Sequence, residues 1–177
     1  MTQKYEFTGE KQKFFGVELR RIRRISDGLV GGWIKKESNL SQEGLCFVYD
    51  EAKVCDSACV LENAIISGES IVYHLARVYG NSYVHGGALV HGKARVSGES
   101  LVYGKANIYG QARVYENARV YGSARVHGKA RVYGDSRVFD RANVHERARV
   151  CGQSYICGGD ITSGETSIIG VDGTETV

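Results

Sequence analysis

Residues Ala76–Gly159 read ARVYGN SYVHGG ALVHGK ARVSGE SLVYGK ANIYGQ ARVYEN ARVYGS ARVHGK ARVYGD SRVFDR ANVHER ARVCGQ SYICGG. The period is six residues and no unit carries an insertion. Each unit opens on Ala or Ser and places Val or Ile two positions later: Ala76/Val78, Ser82/Val84, Ala88/Val90, and onward to Ser154/Ile156. Gly usually follows two positions after the aliphatic residue. A fixed short period implies a solenoid, because one unit cannot bury its apolar face except against its neighbours.

The spacing within a unit decides what kind of solenoid. In a strand, alternate residues face opposite sides, so Ala76 and Val78 point one way and Arg77 and Tyr79 the other. The small residue fits where the interior narrows at a corner, Val fills the flat wall, and Gly permits the bend that follows. Three such sides close a triangle of 18 residues, and successive coils stack at about 4.8 Å. A helix would need apolar residues at i, i+3, i+4 and i+7, which this pattern does not supply. A propeller or sandwich would need longer strands and longer periods.

The small-x-aliphatic spacing extends back to Cys46/Val48 and forward, weakening, through Asp160/Thr162 and Thr166/Ile168. The regular solenoid is therefore read as residues 46–171, or 21 hexads in about seven coils, with 172–177 a polar tail. At the tail end, Asp160 and Thr162 are expected to put polar groups in the inward slots. Residues 1–45 lack the hexad. Short strands are expected at KYEFTGE and GVELRRIRRI, with a turn at Thr8-Gly9-Glu10. An exposed end coil needs covering, so 1–45 is read as an N-terminal β cap, with Trp33, Leu40 and Leu45 as plugs. Arg20, Arg21, Arg23 and Arg24 form a local basic cluster, read mainly as a solvated strand face.

Composition narrows the function classes. No apolar run reaches 18 residues, so no transmembrane helix is expected. The polar start MTQKYEFTGEKQKFF does not read as a secretory signal. Five Cys, an odd number without framework spacing, suit reduced thiols and a cytoplasmic setting. A net charge of +3 is too small to argue for nucleic acid by itself, and nucleic acid is not the expected partner. Pro is absent, which leaves the turns to Gly, Asn, Asp and similar residues that tolerate positive φ.

The hexads resemble those of the hexapeptide-repeat proteins. The segment GGWIKKESNLSQEGLCFVYDEAKV (31–54), followed by repeated G-x-A-x-V units, resembles the YdcK-type acetyltransferase-like proteins. The resemblance implies an all-β, left-handed, triangular parallel β-helix. It also implies a trimer and, if catalysis follows fold, acetyl-CoA as cofactor with a His as general base. Fold alone does not fix function. The resembled enzymes also carry a loop extruded from a coil that helps build the acceptor site, and no loop interrupts these hexads.

Residues 18 apart should stack, which sorts the outward positions into three walls. The first holds Arg77, Arg95, Arg113, Arg131 and Arg149 beside Tyr79, Ser97, Tyr115 and Tyr133. It is the candidate surface for an anionic small molecule or an acidic protein partner. Glu99, Glu116 and Asp135, at the corner leaving this wall, are expected to pair with the Arg. The second wall holds Tyr83, Leu101, Tyr103, Tyr121, Phe139 and Tyr155, and is assigned to self-association. The third holds His91, His127 and His145 with Tyr73 and Tyr109. These His are the only candidates for catalysis, and the sequence offers no third ligand to make them a metal site. The reading reached is a non-enzymatic binding or assembly protein without a cofactor. The alternatives are a CoA-dependent acyltransferase with an inter-subunit site, and capture of a nucleotide or other small anion.

Overall fold

The structure, a computed structural model, describes residues 3–163 and 165–166. The chain is a parallel β-solenoid of about seven turns. Almost every hexad contributes one two-residue strand, such as Arg95–Val96 or Leu101–Val102. These strands build three sheets, of ten, seven and seven strands. Neighbours within each sheet lie one coil apart: Arg95 pairs with Arg77 and Arg113, Leu101 with Tyr83 and Arg119, and Leu89 with Ile71 and Asn107. The 18-residue register expected from the sequence is therefore the register of the sheets.

The interior follows from the two inward positions. The Ala and Ser that open the hexads are buried, and Val78, Val84, Val90 and their equivalents through Ile156 are fully buried. One continuous core runs the length of the solenoid. At roughly 1.5–3 kcal/mol for each buried Val or Ile, this stack of small strands needs no helix to stabilise it. Backbone bonds link each coil to the next, as in Arg95 N–H to Ala112 O (2.9 Å) and Ser97 N–H to Val114 O (2.9 Å).

Corner backbones pass so close that side chains are restricted there. Gly98 has φ +70°, and a Cβ on it would lie 2.6 Å from the Glu116 amide nitrogen. Yet Glu62 (φ 58°) and Glu116 (φ 59°) hold the same left-handed corner conformation. Each uses its carboxylate to accept the amide N–H of the next coil, from Gly80 at 2.9 Å and Gly134 at 2.8 Å. That bond offsets part of the backbone strain, which costs of order 1–3 kcal/mol.

At the N-terminal end, β1 (Tyr5–Phe14) and β2 (Val17–Arg24) form an antiparallel hairpin, and β2 pairs with β3 (Val30–Ile34). β1 runs through Thr8–Glu10 where a turn was expected. Gly9 at φ 95° instead makes an irregularity in the pairing between Phe7 and Lys11. The chain reverses later, at Phe15-Gly16, both with positive φ.

β3 then pairs in parallel with Lys53–Val54, and Leu40 bridges Val60, so the coils begin ahead of Cys46. These partners are 20 residues apart, because two extra residues are accommodated between Leu40 and Cys46. The expected plug Leu45 falls in this stretch and is 79% exposed, a correction to the sequence reading. Leu40 is fully buried in the core. Trp33 is buried too, but outside the axial core. Ile34 takes the inward place, while Trp33 packs with Leu19 and Cys55 beneath the hairpin. Tyr5 and Ile22 of the hairpin join the axial core instead, and the Tyr5 hydroxyl donates to backbone carbonyls at Glu37 and Leu40.

Near the other end the register slips by one residue. Ile161, not Thr162, pairs with Val144 and packs against the core, while Asp160 is exposed opposite Asn143. Tandem Gly158 and Gly159, both with positive φ, make the shortened corner possible. The expected slot at Ile168, the boundary at Val171 and the tail 172–177 lie outside the described residues.

Candidate functional site

The arginine wall is one of the seven-stranded sheets. Arg77, Arg95, Arg113, Arg131 and Arg149 follow one another in direct parallel register and are all exposed. Strand geometry explains both facts, since Val at the next position takes the interior and Arg must point out. Unit charges about 5 Å apart repel, and solvent only partly screens them. The expected pairing with corner acids does not form. Glu116 bonds the Gly134 amide, Asp135 accepts from Asn117 Nδ2 at 3.0 Å, and among the described residues no carboxylate lies within ion-pair distance of Arg77, Arg95, Arg113 or Arg131.

The Tyr column beside this ladder is broken rather than continuous. Tyr115 and Tyr133 stack at 4.9 Å with planes 4° apart. Burial raises the Tyr115 phenol's pKa, Glu116 adds to this, and the nearby Arg131, Arg149 and Arg113 oppose it. Ser97 interrupts the column between Tyr79 and Tyr115. Next to Tyr79 lies a depression of about 230 Å³ lined by Leu61, Glu62, Arg77, Tyr79 and Arg95. Leu61 and Glu62 were not anticipated from sequence, though their place one coil before Tyr79 and Gly80 was readable there.

The aromatic wall is the other seven-stranded sheet. Its corner column is a stack: His85 on Tyr103 (5.0 Å), Tyr103 on Tyr121 (4.8 Å) and Tyr121 on Phe139 (5.1 Å), all within 6° of parallel. Tyr83, Leu101 and Tyr155 are half-buried strand residues of the same wall. Arg119 and Arg137 interleave with them, and Arg137 lies over the Tyr155 ring at 5.0 Å.

The third wall brings the three candidate His into one stack. Tyr73, His91, Tyr109, His127 and His145 follow at 4.6, 5.1, 4.6 and 5.0 Å. His91 Nε2 meets Asn107 Oδ1 at 3.1 Å, and His127 Nε2 meets Asn143 Oδ1 at 3.0 Å. His145 Nε2 lies 3.5 Å from Asp160. Burial lowers the pKa of His91 and of His127, although the Asn bonds oppose it. Among the described residues, no group of three or more His, Cys, Asp or Glu could hold a metal ion.

The basic cluster in β2 is paired within the chain, with Arg23 exposed and Arg20, Arg21 and Arg24 half-buried. Arg20 lies over the Phe7 ring at 3.6 Å, and Arg21 pairs with Glu51 at 3.2 Å. Arg23 pairs with Glu6, and Arg24 with Asp27 at 2.6 Å. The Arg24 bond holds the Asp27 carboxyl down at about 2. One feature had no counterpart in the sequence reading, an apolar groove of about 580 Å³ under the hairpin tip. Phe14, Val17, Ile71, Tyr73 and Leu89 line it, with Phe15 at its edge 92% exposed.

Sheets, register and continuous core together define a β-solenoid repeat protein. Residues 112–128 match the family model described as the YdcK beta solenoid repeat. That segment spans Tyr115, Arg113 and His127, and so touches the arginine and histidine walls. No curated protein matches the chain. Among the described residues, no helix is long and apolar enough to cross a membrane.

Proposed function

We propose that this chain is a non-enzymatic binding or assembly protein of the cytoplasm. It is a rigid solenoid that self-associates through its aromatic wall, with a trimer favoured, and holds an anionic ligand or an acidic protein segment on its arginine wall. The observation that carries this reading is the register of five exposed Arg, of which Arg77, Arg95, Arg113 and Arg131 have no carboxylate within ion-pair distance among the described residues. Like charges held this close are costly unless a counter-charge meets them, and guanidinium is well suited to carboxylate and phosphate. The triple variant Arg95→Gln, Arg113→Gln, Arg131→Gln should lose retention on a sulfated-polysaccharide matrix while keeping its melting temperature. Unchanged retention would remove the proposal.

The competing reading, CoA-dependent acyl transfer between subunits, draws on the acetyltransferase-like resemblance. Its general base would have to be one of the ladder His. The Nε2 atoms of His91 and His127 are engaged by Asn and neighbouring rings cover both faces of each, while His145, stacked on His127, has its Nε2 3.5 Å from Asp160. A base needs a nitrogen within reach of the proton it removes. The chain should therefore transfer no acetyl group from acetyl-CoA to an amine or alcohol acceptor. Acetyl transfer that is lost in His91→Ala, His127→Ala or His145→Ala would favour the acyltransferase.

A further inference from the structure

The ring columns are nearly continuous, and they are interrupted by serine in two places with different consequences. In the aromatic wall Ser67 stands between Tyr49 and His85. There the protein fills the space itself. Tyr83, 16 residues on, leans over to bond Ser67 Oγ at 2.9 Å and packs on His85 at 4.5 Å. In the arginine wall Ser97 stands between Tyr79 and Tyr115, and the residue 16 positions on is Arg113, which is exposed and brings no ring. Among the described residues no ring stacks on Tyr79, and only Tyr133 stacks on Tyr115.

Tyr79 and Tyr115 are two coils apart, or about 9.6 Å at the strand spacing. Elsewhere in this protein a single ring occupies that interval, with centroid separations such as 4.8 and 5.1 Å on either side in the column Tyr103–Tyr121–Phe139. Arg77, Arg95 and Arg113 pass alongside the interval in register. The depression lined by Leu61, Glu62, Arg77, Tyr79 and Arg95 reaches Tyr79 from the preceding coil, and its lining includes neither Ser97 nor Tyr115.

We infer that the Ser97 interval is a seat for one planar aromatic ring of a ligand that also carries an anionic group, of which a nucleotide is the type. The ring completes the Tyr column and the anion lies on Arg95 with its neighbours. This rests on the reading of the arginine wall as an anion surface and narrows it to a ligand class. Stacking on aromatic side chains should tighten binding by about tenfold over an anion without a ring.

The test compares AMP, ribose 5-phosphate and tripolyphosphate by calorimetric titration, with ligand proton shifts read by NMR. AMP should bind about tenfold more tightly than ribose 5-phosphate, and its base protons should move upfield between the Tyr rings. Ser97→Tyr, which restores the repeat's own residue, should abolish that preference and leave ribose 5-phosphate and tripolyphosphate unaffected. Ser97→Ala should retain the preference, and Tyr115→Leu should reduce it. Equal affinity for AMP and ribose 5-phosphate, or an AMP preference that survives Ser97→Tyr, overturns the inference. If tripolyphosphate then still binds and needs Arg95 and Arg113, the anion surface stands without the ring seat. If none of the three binds, both readings fall.

Discussion

At the position opening each hexad, one hydroxyl separates two outcomes. Ser70 Oγ donates to Ser67 O at 2.7 Å, and Ser82 and Ser136 make the same bond to the carbonyl three residues back, each at 2.8 Å. Ser100 sits in the same buried slot with its Oγ unsatisfied. A buried hydroxyl without a partner costs about 1–3 kcal/mol, whereas a satisfied one contributes about 1 kcal/mol. Ser100→Ala should therefore raise stability by about 1 kcal/mol and Ser70→Ala lower it by a similar amount, both measured by chemical denaturation. The sequence shows Ser and Ala alternating in this slot but not which Ser finds its carbonyl. That depends on a rotamer and a few tenths of an ångström at the corner.

At the scale of one element, the third-wall column couples ring stacking to protonation. The folded protein holds His91 and His127 below their ordinary pKa, chiefly by burial. His127 faces Asn143, His145, Arg125 and Asp160 besides Tyr109, while His91 faces Asn107 and His74. A depressed His pKa means the unfolded chain binds more protons as pH drops through about 6.5. Stability is therefore complete above that value and is lost progressively as pH falls toward the folded-state pKa. The melting temperature should decrease from about pH 7.5 to about pH 5.5. His91→Phe, His127→Phe should flatten that decrease while keeping the stack, and an unaltered slope would refute this origin. The 18-residue spacing made the column legible. The Asn partners could be placed only roughly, because they lie one coil minus two residues away and their reach depends on how strand residues lean.

At the scale of the whole molecule, interior and exterior obey different periods. The inward residues repeat every six, so every hexad is interchangeable inside. The outward residues repeat every 18, because three hexads make a coil. Deleting residues 100–117 removes one coil and leaves the arginine column aligned, one residue shorter. Deleting residues 100–105 preserves the inward pattern but turns everything downstream by one wall, carrying Arg113 and Arg131 to the wall of Leu89 and bringing Arg119 and Arg137 into line with Arg77 and Arg95. Both proteins should fold cooperatively with somewhat lower melting temperatures, as expected for a solenoid stabilised by nearest-neighbour contacts. Each deletion leaves four Arg in one column (Arg77, Arg95, Arg131 and Arg149, or Arg77, Arg95, Arg119 and Arg137), so both proteins should keep anion retention. Loss of retention in the six-residue deletion alone would mean that particular residues such as Arg131, and not an aligned column of Arg, carry the binding.

The sequence by itself determined the solenoid, its 18-residue register and the membership of each wall. Those follow from strand alternation and from the few residues that fit inside a narrow triangle. Tertiary structure alone decided where the pattern yields to local geometry. Extra residues before Cys46 push Leu45 outward, and tandem Gly at 158–159 brings Ile161 into the place expected for Thr162. Corner carboxylates bond the next coil's amides instead of the arginines. One serine interval is filled by Tyr83, while at the other, Ser97, the residue 16 positions on is Arg113, which brings no ring. Each outcome turns on distances between coils, which a one-dimensional period fixes for the backbone but not for side chains.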